Sequence, residues 1–226
     1  MTPTHGAHDP AGHRHEQELA DGATVAEHWE RRYREAGPIW SGRPNVALVA
    51  VAPSPAPGSI AVDLACGEGG DAVWLAEQGW HVVAVDISTT AVDRGRAAAA
   101  ERGLGDAIDW VVADLAEWDV PAGVALVSAC FLQSTVELDR IGILRRAADR
   151  LAVGGRLLTI AHAEMPPWSP HAGDAGITPS SELEGLALDP AAWEVEIAEI
   201  RERPATGPDG APAVLRDSVV LVRRTA

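Results

Sequence analysis

The sequence predicts an α/β fold: a doubly wound, mostly parallel sheet of seven strands with an antiparallel edge. Three observations carry this reading. From Ser59 onward, short apolar runs alternate with helical patterns, the order that builds right-handed βαβ units and a sheet covered on both faces. The first run leads through a glycine-rich turn, Asp63-Leu64-Ala65-Cys66-Gly67-Glu68-Gly69-Gly70, into a helix. The chain then closes on two apolar stretches with no helix between them, which suggests an antiparallel hairpin at the sheet edge.

Taken in order, residues 1–20 are polar, rich in His, Gly and Pro, and without periodicity, so a disordered tail is expected. His5, His8, His13 and His15 lack the spacing of a closed metal site, and no metal is expected there. Residues 21–226 are expected to form one domain that opens with a helical cap over 21–52. Thr24-Val25-Ala26-Glu27 has capping-box spacing and starts the first helix, which Gly37-Pro38 stops. Trp29 and Tyr33, four apart, share one face of it. Asn45 caps a short helix through Val51, and the Pro-rich stretch 53–59 links to the next unit.

Strands are predicted at 60–64, 81–85, 108–112, 123–129 and 156–161. Helices fill the interval through Ala72, Leu75 and Ala76 up to Gly79 and the interval 89–102. Ser134-Thr135-Val136-Glu137 reads as a second capping box, opening a helix that ends near Gly154-Gly155. Residues 162–180 form a long Pro- and Gly-rich loop, of the kind that often carries substrate contacts. Ser181 caps a short helix, and strands at 193–202 and 218–224 flank a turn-rich connection.

Composition narrows the function. A chain of 226 residues buries a sizeable core without disulfide or metal staples. Its 18 basic residues, all Arg, face 33 acidic ones, for a net charge of −15. That balance argues against nucleic acid and against anionic membranes as partners. No apolar run approaches the roughly 18–20 residues of a spanning helix, and the first residues lack the apolar core of a secretory signal. Cys66 and Cys130 fit reduced thiols, so a cytoplasmic protein is expected. Of the 8 Trp, Trp74, Trp80 and Trp110 read as core. Trp40 and Trp168 fall in loops at the presumed open edge and are candidates to line a substrate pocket.

The glycine-rich turn presents backbone amides at a helix N-terminus, where a ligand can approach closely. Asp86 ends the second strand near the spacing at which an acid meets a ribose diol. Gly67, Gly69 and Ala72 also fit the dinucleotide spacing G-x-G-x-x-A. Asp63, four residues before the first Gly, and Asp114, after strand three, add two more acids at the same edge. Three carboxylates repel a pyrophosphate. They suit a ligand with an ammonium, a sulfonium, a ribose and an adenine amine, which is S-adenosylmethionine.

These residues resemble the motifs of the class I S-adenosylmethionine-dependent methyltransferases, and the likeness runs from about residue 24 to the C-terminus. Asp63 to Gly70 looks like the first motif, Val82 to Ser88 the second, and Ala113-Asp114-Leu115 the third. Trp29, Tyr33 and Trp40-Ser41-Gly42-Arg43-Pro44-Asn45 are similar to the tellurite-resistance and thiopurine methyltransferase group. The resemblance implies a Rossmann-like sheet and methyl transfer to a small-molecule acceptor. It also implies roles. Asp63 and the backbone of Ala65, Cys66, Gly67 and Gly69 hold the methionine end. Asp86 binds the ribose, with Ile87 packed on the adenine. Asp114 bonds the exocyclic amine beside Leu115, and the backbone of Cys130 lies near the methionine. Trp40 and Arg43 close over the cofactor. Gln133 stands where many relatives carry His.

The sulfonium is already a good leaving group, so positioning of the nucleophile supplies much of the rate. Where the nucleophile carries a proton, His162, just after strand five, is the candidate base. Two rivals stay open. One is an NAD(P)-dependent oxidoreductase, which the absence of Lys and the lone Tyr disfavour. The other is a non-catalytic S-adenosylmethionine-binding protein. The acceptor atom, and whether the chain is a monomer or a homodimer, are left open by the sequence.

Overall fold

Helical crossovers set the direction of the first strands. In chain order the elements are α1 (Val25–Glu35), α2 (Val46–Val51), β1 (Ile60–Leu64), α3 (Gly70–Glu77), β2 (His81–Asp86), α4 (Thr89–Glu101), β3 (Ile108–Val112), β4 (Val124–Cys130), α5 (Arg140–Asp149), β5 (Leu151–His162), α6 (Pro179–Leu186), β6 (Trp193–Thr206) and β7 (Pro212–Arg224). The computed structural model describes residues 22–134, 136–169 and 171–226; the tail expected over 1–20 lies outside them.

The sheet order is β3-β2-β1-β4-β5-β7-β6. β1 to β5 run parallel, and the hairpin adds β7 antiparallel to β5 and β6 antiparallel to β7. This is the seven-stranded, mostly parallel α/β sheet that the sequence predicts. The order reverses between β1 and β4, where an open α/β sheet forms its ligand crevice.

Alternation along each strand divides the core. Val62, Val83, Val127 and Leu157 pack under Ile143 and Leu144 of α5 and Leu186 of α6. Ala61, Val82, Leu126 and Leu158 pack under Leu48 of α2, Leu75 of α3 and Ala99 of α4. Strands buried on both faces read as unbroken apolar runs, which is why they were legible in the sequence. No described helix is long and apolar enough to cross a membrane.

Three expectations need correction. The helix expected from Ser134 begins later: Asp139 is its cap, with Oδ1 accepting from the Gly142 N–H at 3.0 Å. Ser134 instead closes a local turn, its Oγ accepting from the Val136 N–H at 3.1 Å. The helix expected from Ser181 is capped by Thr178, with Pro179 in its first turn. The last two strands are longer than predicted, 14 and 13 residues. Pro204 and Pro212 read as turn residues, yet a hairpin at the edge of a sheet accommodates proline.

Candidate functional site

The turn after β1 is held in an unusual backbone path. Ala65, Gly67 and Gly69 have φ of +54°, +54° and +79°. The Cys66 N–H donates to the Val85 carbonyl at 2.9 Å. The Gly67 N–H donates to Oδ2 of Asp86 at 2.8 Å, and the Ser88 N–H to Oδ1 of the same carboxylate at 2.9 Å. Asp86 therefore fastens the turn to the end of β2. Gly69 has a packing reason of its own: a Cβ there would lie 2.3 Å from Trp110 Cη2, and one on Gly95 would meet the same ring at 2.5 Å.

Buried acid crowds this end of the sheet. Asp63 is the last residue but one of β1, and its Oδ1 accepts from Ser128 Oγ at 3.0 Å. Its Oδ2 is buried with no hydrogen-bond partner. Asp71, in the first turn of α3, accepts from the Asn45 N–H. Burial pushes the Asp63 carboxyl well up, and the neighbouring Asp71 and Asp86 push it further. Burial also raises Asp71 and Asp86. The thiols of Cys66 and Cys130 are pushed well up, first by burial and then by these acids. An unpartnered carboxylate oxygen among acids is a place that a cation fits.

A roof from the N-terminal segment covers the turn. A Cβ on Gly67 would lie 3.1 Å from both Trp40 Nε1 and the Tyr33 hydroxyl, and Trp40 Nε1 donates to that hydroxyl at 3.1 Å. Glu68 accepts from the backbone N–H of Ile39 and of Trp40, each at 3.0 Å, and pairs with Arg94 at 2.7 Å. Arg94 also donates to the carbonyls of Tyr33, Ala36 and Gly37. Glu30 on α1 accepts from the Ser88 and Thr90 hydroxyls at 2.7 and 2.6 Å, which fixes the helix to the start of α4. Trp40 keeps 53% of its surface exposed, and Arg43 is exposed, its backbone carbonyl lying against Gly70 at the start of α3.

The remaining expected residues line the same edge. Ile87 is half-buried. Asp114 follows β3 and accepts from the Ala116 N–H at 2.8 Å. Leu115 is buried in the core. Cys130 ends β4, and Phe131 follows with φ +56°. His162 ends β5, its ring 4.5 Å from that of Phe131 and its Nδ1 3.2 Å from Asp217. Gln133 Oε1 accepts from the His162 N–H at 2.8 Å. A cleft of about 270 Å³ lies beside it, lined by Gln133, Ser134, Val136, Leu138, Arg140 and Ile177. Trp168 packs near Gly207 at the turn of the hairpin, beside a separate cleft of about 410 Å³.

Sequence reasoning missed Asp71, Glu68, Arg94 and Asp217. Asp71 had a readable signal, an acid in the first turn of the helix after a glycine-rich loop. The other three act through partners distant in the chain.

Residues 61–155 match the family model described as a methyltransferase domain. That stretch runs from β1 into β5 and includes the glycine-rich turn, Asp86, Asp114 and Cys130. The curated 2-heptyl-1-hydroxyquinolin-4(1H)-one methyltransferase of Mycobacteroides abscessus is 30% identical over 138 residues, covering 58% of this chain and 60% of that protein. The match thus spans about three fifths of the curated relative's length.

Among solved structures, one concerned with converting a disulfide bond into a thioacetal group in echinomycin biosynthesis aligns with TM-score 0.66 and 22% identity, over 88% of this chain and 93% of that one. TehB from Haemophilus influenzae aligns with TM-score 0.60 and 16% identity, over 78% and 59%. Geranyl diphosphate C-methyltransferase from Streptomyces coelicolor A3(2), solved with S-adenosyl-L-homocysteine, aligns with TM-score 0.57 and 18% identity, over 79% and 74%. The chain shares its Rossmann-like fold with these structures.

Proposed function

We propose that the chain transfers the methyl group of S-adenosylmethionine to a small-molecule acceptor. The observation that carries this reading is the buried, unpartnered Oδ2 of Asp63 beside the glycine-rich turn, set among further acids. A cationic ligand fits there and a pyrophosphate does not, which disfavours a nicotinamide dinucleotide. The family match over 61–155 supports the same conclusion.

In this reading Asp63 and the backbone of Ala65, Cys66 and Gly67 receive the methionine ammonium. Each oxygen of Asp86 already accepts one backbone N–H and keeps a lone-pair site for a ribose hydroxyl. Ile87 packs on the adenine, Asp114 and the backbone at Leu115 meet its amine, and Cys130 lines the methionine end through its backbone. Arg43, an exposed residue of the same segment, reaches the carboxylate, and Trp40 closes the roof. Bound there, the cofactor supplies an electrophilic methyl group on a sulfonium. The protein's part is to orient the acceptor, exclude water and, for a protic acceptor, receive its proton at His162.

The segment Trp40 to Asn45, similar to that of the tellurite-resistance group, keeps tellurite among the acceptors worth testing. The Mycobacteroides relative adds 2-heptyl-1-hydroxyquinolin-4(1H)-one. Calorimetry with S-adenosylmethionine and with NAD tests the cofactor, and an acceptor panel read by release of S-adenosylhomocysteine tests the chemistry. S-adenosylmethionine is expected to bind and NAD not to bind. No S-adenosylmethionine binding at high micromolar concentration would overturn the proposal. Asp86→Ala is expected to weaken cofactor binding at least tenfold, with Asp86→Asn intermediate, by the same titration.

A further inference from the structure

Three side chains from separate strands, with Phe131 just after β4, meet beside the end of β5. His162 on β5 faces Asp217 across the β5–β7 ladder, with Nδ1 3.2 Å from Oδ1. The Asp217 side chain is 3% exposed, and its Oδ2 accepts from Arg203 Nε on β6. The Arg203 guanidinium stands 5.5 Å over the Phe131 ring, which lies 4.5 Å from the His162 ring at a tilt of 38°. The circuit closes on itself, and none of its four residues is among those assigned above to the cofactor.

The arrangement fixes the imidazole. Asp217 accepts from the Arg203 guanidinium at Oδ2 and faces the ring through Oδ1, so the hydrogen between Asp217 and His162 is assigned to Nδ1. Nε2 is then left with its lone pair. The charged groups around the ring are Asp217 from β7 and Arg203 from β6. The end of β4 brings the uncharged Phe131 and Gln133, and beyond β5 Glu164 is paired with Arg216. About a fifth of the His162 side chain stays exposed.

We propose that Asp217 is a positioning residue, held by Arg203, that presents Nε2 of His162 as a proton acceptor and so suits the enzyme to acceptors bearing a proton on the reacting atom. The class is a neutral hydroxyl, phenolic, enolic or N-hydroxy, rather than a thiolate or an oxyanion such as tellurite. In the step, the acceptor oxygen gains a bond to the methyl carbon. The methyl carbon loses its bond to sulfur, and that electron pair stays on sulfur. The hydroxyl proton passes to Nε2, and the imidazolium faces Asp217. The inference rests on the methyltransferase reading above.

Nitrogen NMR of protein labelled in its histidines tests it without any acceptor. The protonated-Nδ1, bare-Nε2 form of His162 is expected in the wild type, and Asp217→Asn is expected to shift it to the other tautomer. Arg203→Gln is the second variant should Asp217→Asn fold poorly, with the same shift in part. With S-adenosylmethionine and a series of substituted phenols against matched thiophenols, His162→Gln is expected to lower phenol turnover roughly a hundredfold. It is also expected to remove the ionisation from the kcat/KM–pH profile, while leaving calorimetric cofactor affinity unchanged. The opposite tautomer in wild type, or phenol turnover and pH profile unchanged in His162→Gln, would overturn the dyad. Loss of cofactor binding in the wild type would overturn the methyltransferase reading instead.

Discussion

Ala65 holds a φ of +54°, where a residue with a Cβ is strained by about 1–2 kcal/mol. Ala65→Gly relieves that strain but loosens the unfolded chain, so a net gain of about 0.5–1 kcal/mol is expected. Urea denaturation of the two proteins checks the sign. Asp63 and Asp86 were legible in the sequence because each falls in the last two residues of an apolar strand, the end at which an open α/β sheet takes its ligand. Asp217 was not legible: it sits in a strand of ordinary pattern, and its meaning comes from His162, 55 positions earlier, across the ladder. Glu68 read as part of a turn. Its partner Arg94 lies 26 residues on, in a helix whose face no local pattern marks.

At the scale of elements, α5 and α6 are joined by a buried pair. Arg140 donates to both oxygens of Glu182 at 2.6 and 2.7 Å, and the Glu182 side chain is 1% exposed. Removing only the guanidinium strands a buried carboxylate. Arg140→Leu is therefore expected to cost about 3–5 kcal/mol, while Arg140→Leu with Glu182→Leu recovers most of that loss. Thermal unfolding of the single and double variants measures both. Helix starts were legible where the cap was a lone polar residue before an apolar run, as at Thr24 and Asn45. They were misread where several candidate caps stood close together. Ser134 and Asp139 both offer a side-chain oxygen, and the choice fell to the residue whose amide partner, that of Gly142, continues into a helix.

For the whole molecule, the burial of Asp63, Asp71 and Asp86 raises all three carboxyls above their ordinary range. The folded state therefore holds these protons more tightly than the unfolded chain does. Their contribution to stability is fully present below the ordinary carboxyl range and is lost as pH rises through the raised values. The thermal midpoint of the free protein is expected to fall across that window. Asp63→Asn is expected to flatten the fall, and S-adenosylmethionine, which supplies a positive charge, to bind more tightly as pH rises through it. Scanning calorimetry at a series of pH values, with and without cofactor, checks all three. The parallel half of the sheet was legible because buried strands and their helices repeat one pattern, whereas the reach of the hairpin was hidden by its prolines. The roof fastened by Glu68 and Arg94 has a further consequence for the order of assembly. The ribosome releases α1 and Trp40 well before α4, and until Arg94 emerges the first segment has no clasp to close on. The roof over the glycine-rich turn is therefore expected to close late, with the oldest part of the chain set in place after the strands beneath it, an order that pulsed hydrogen exchange during refolding checks.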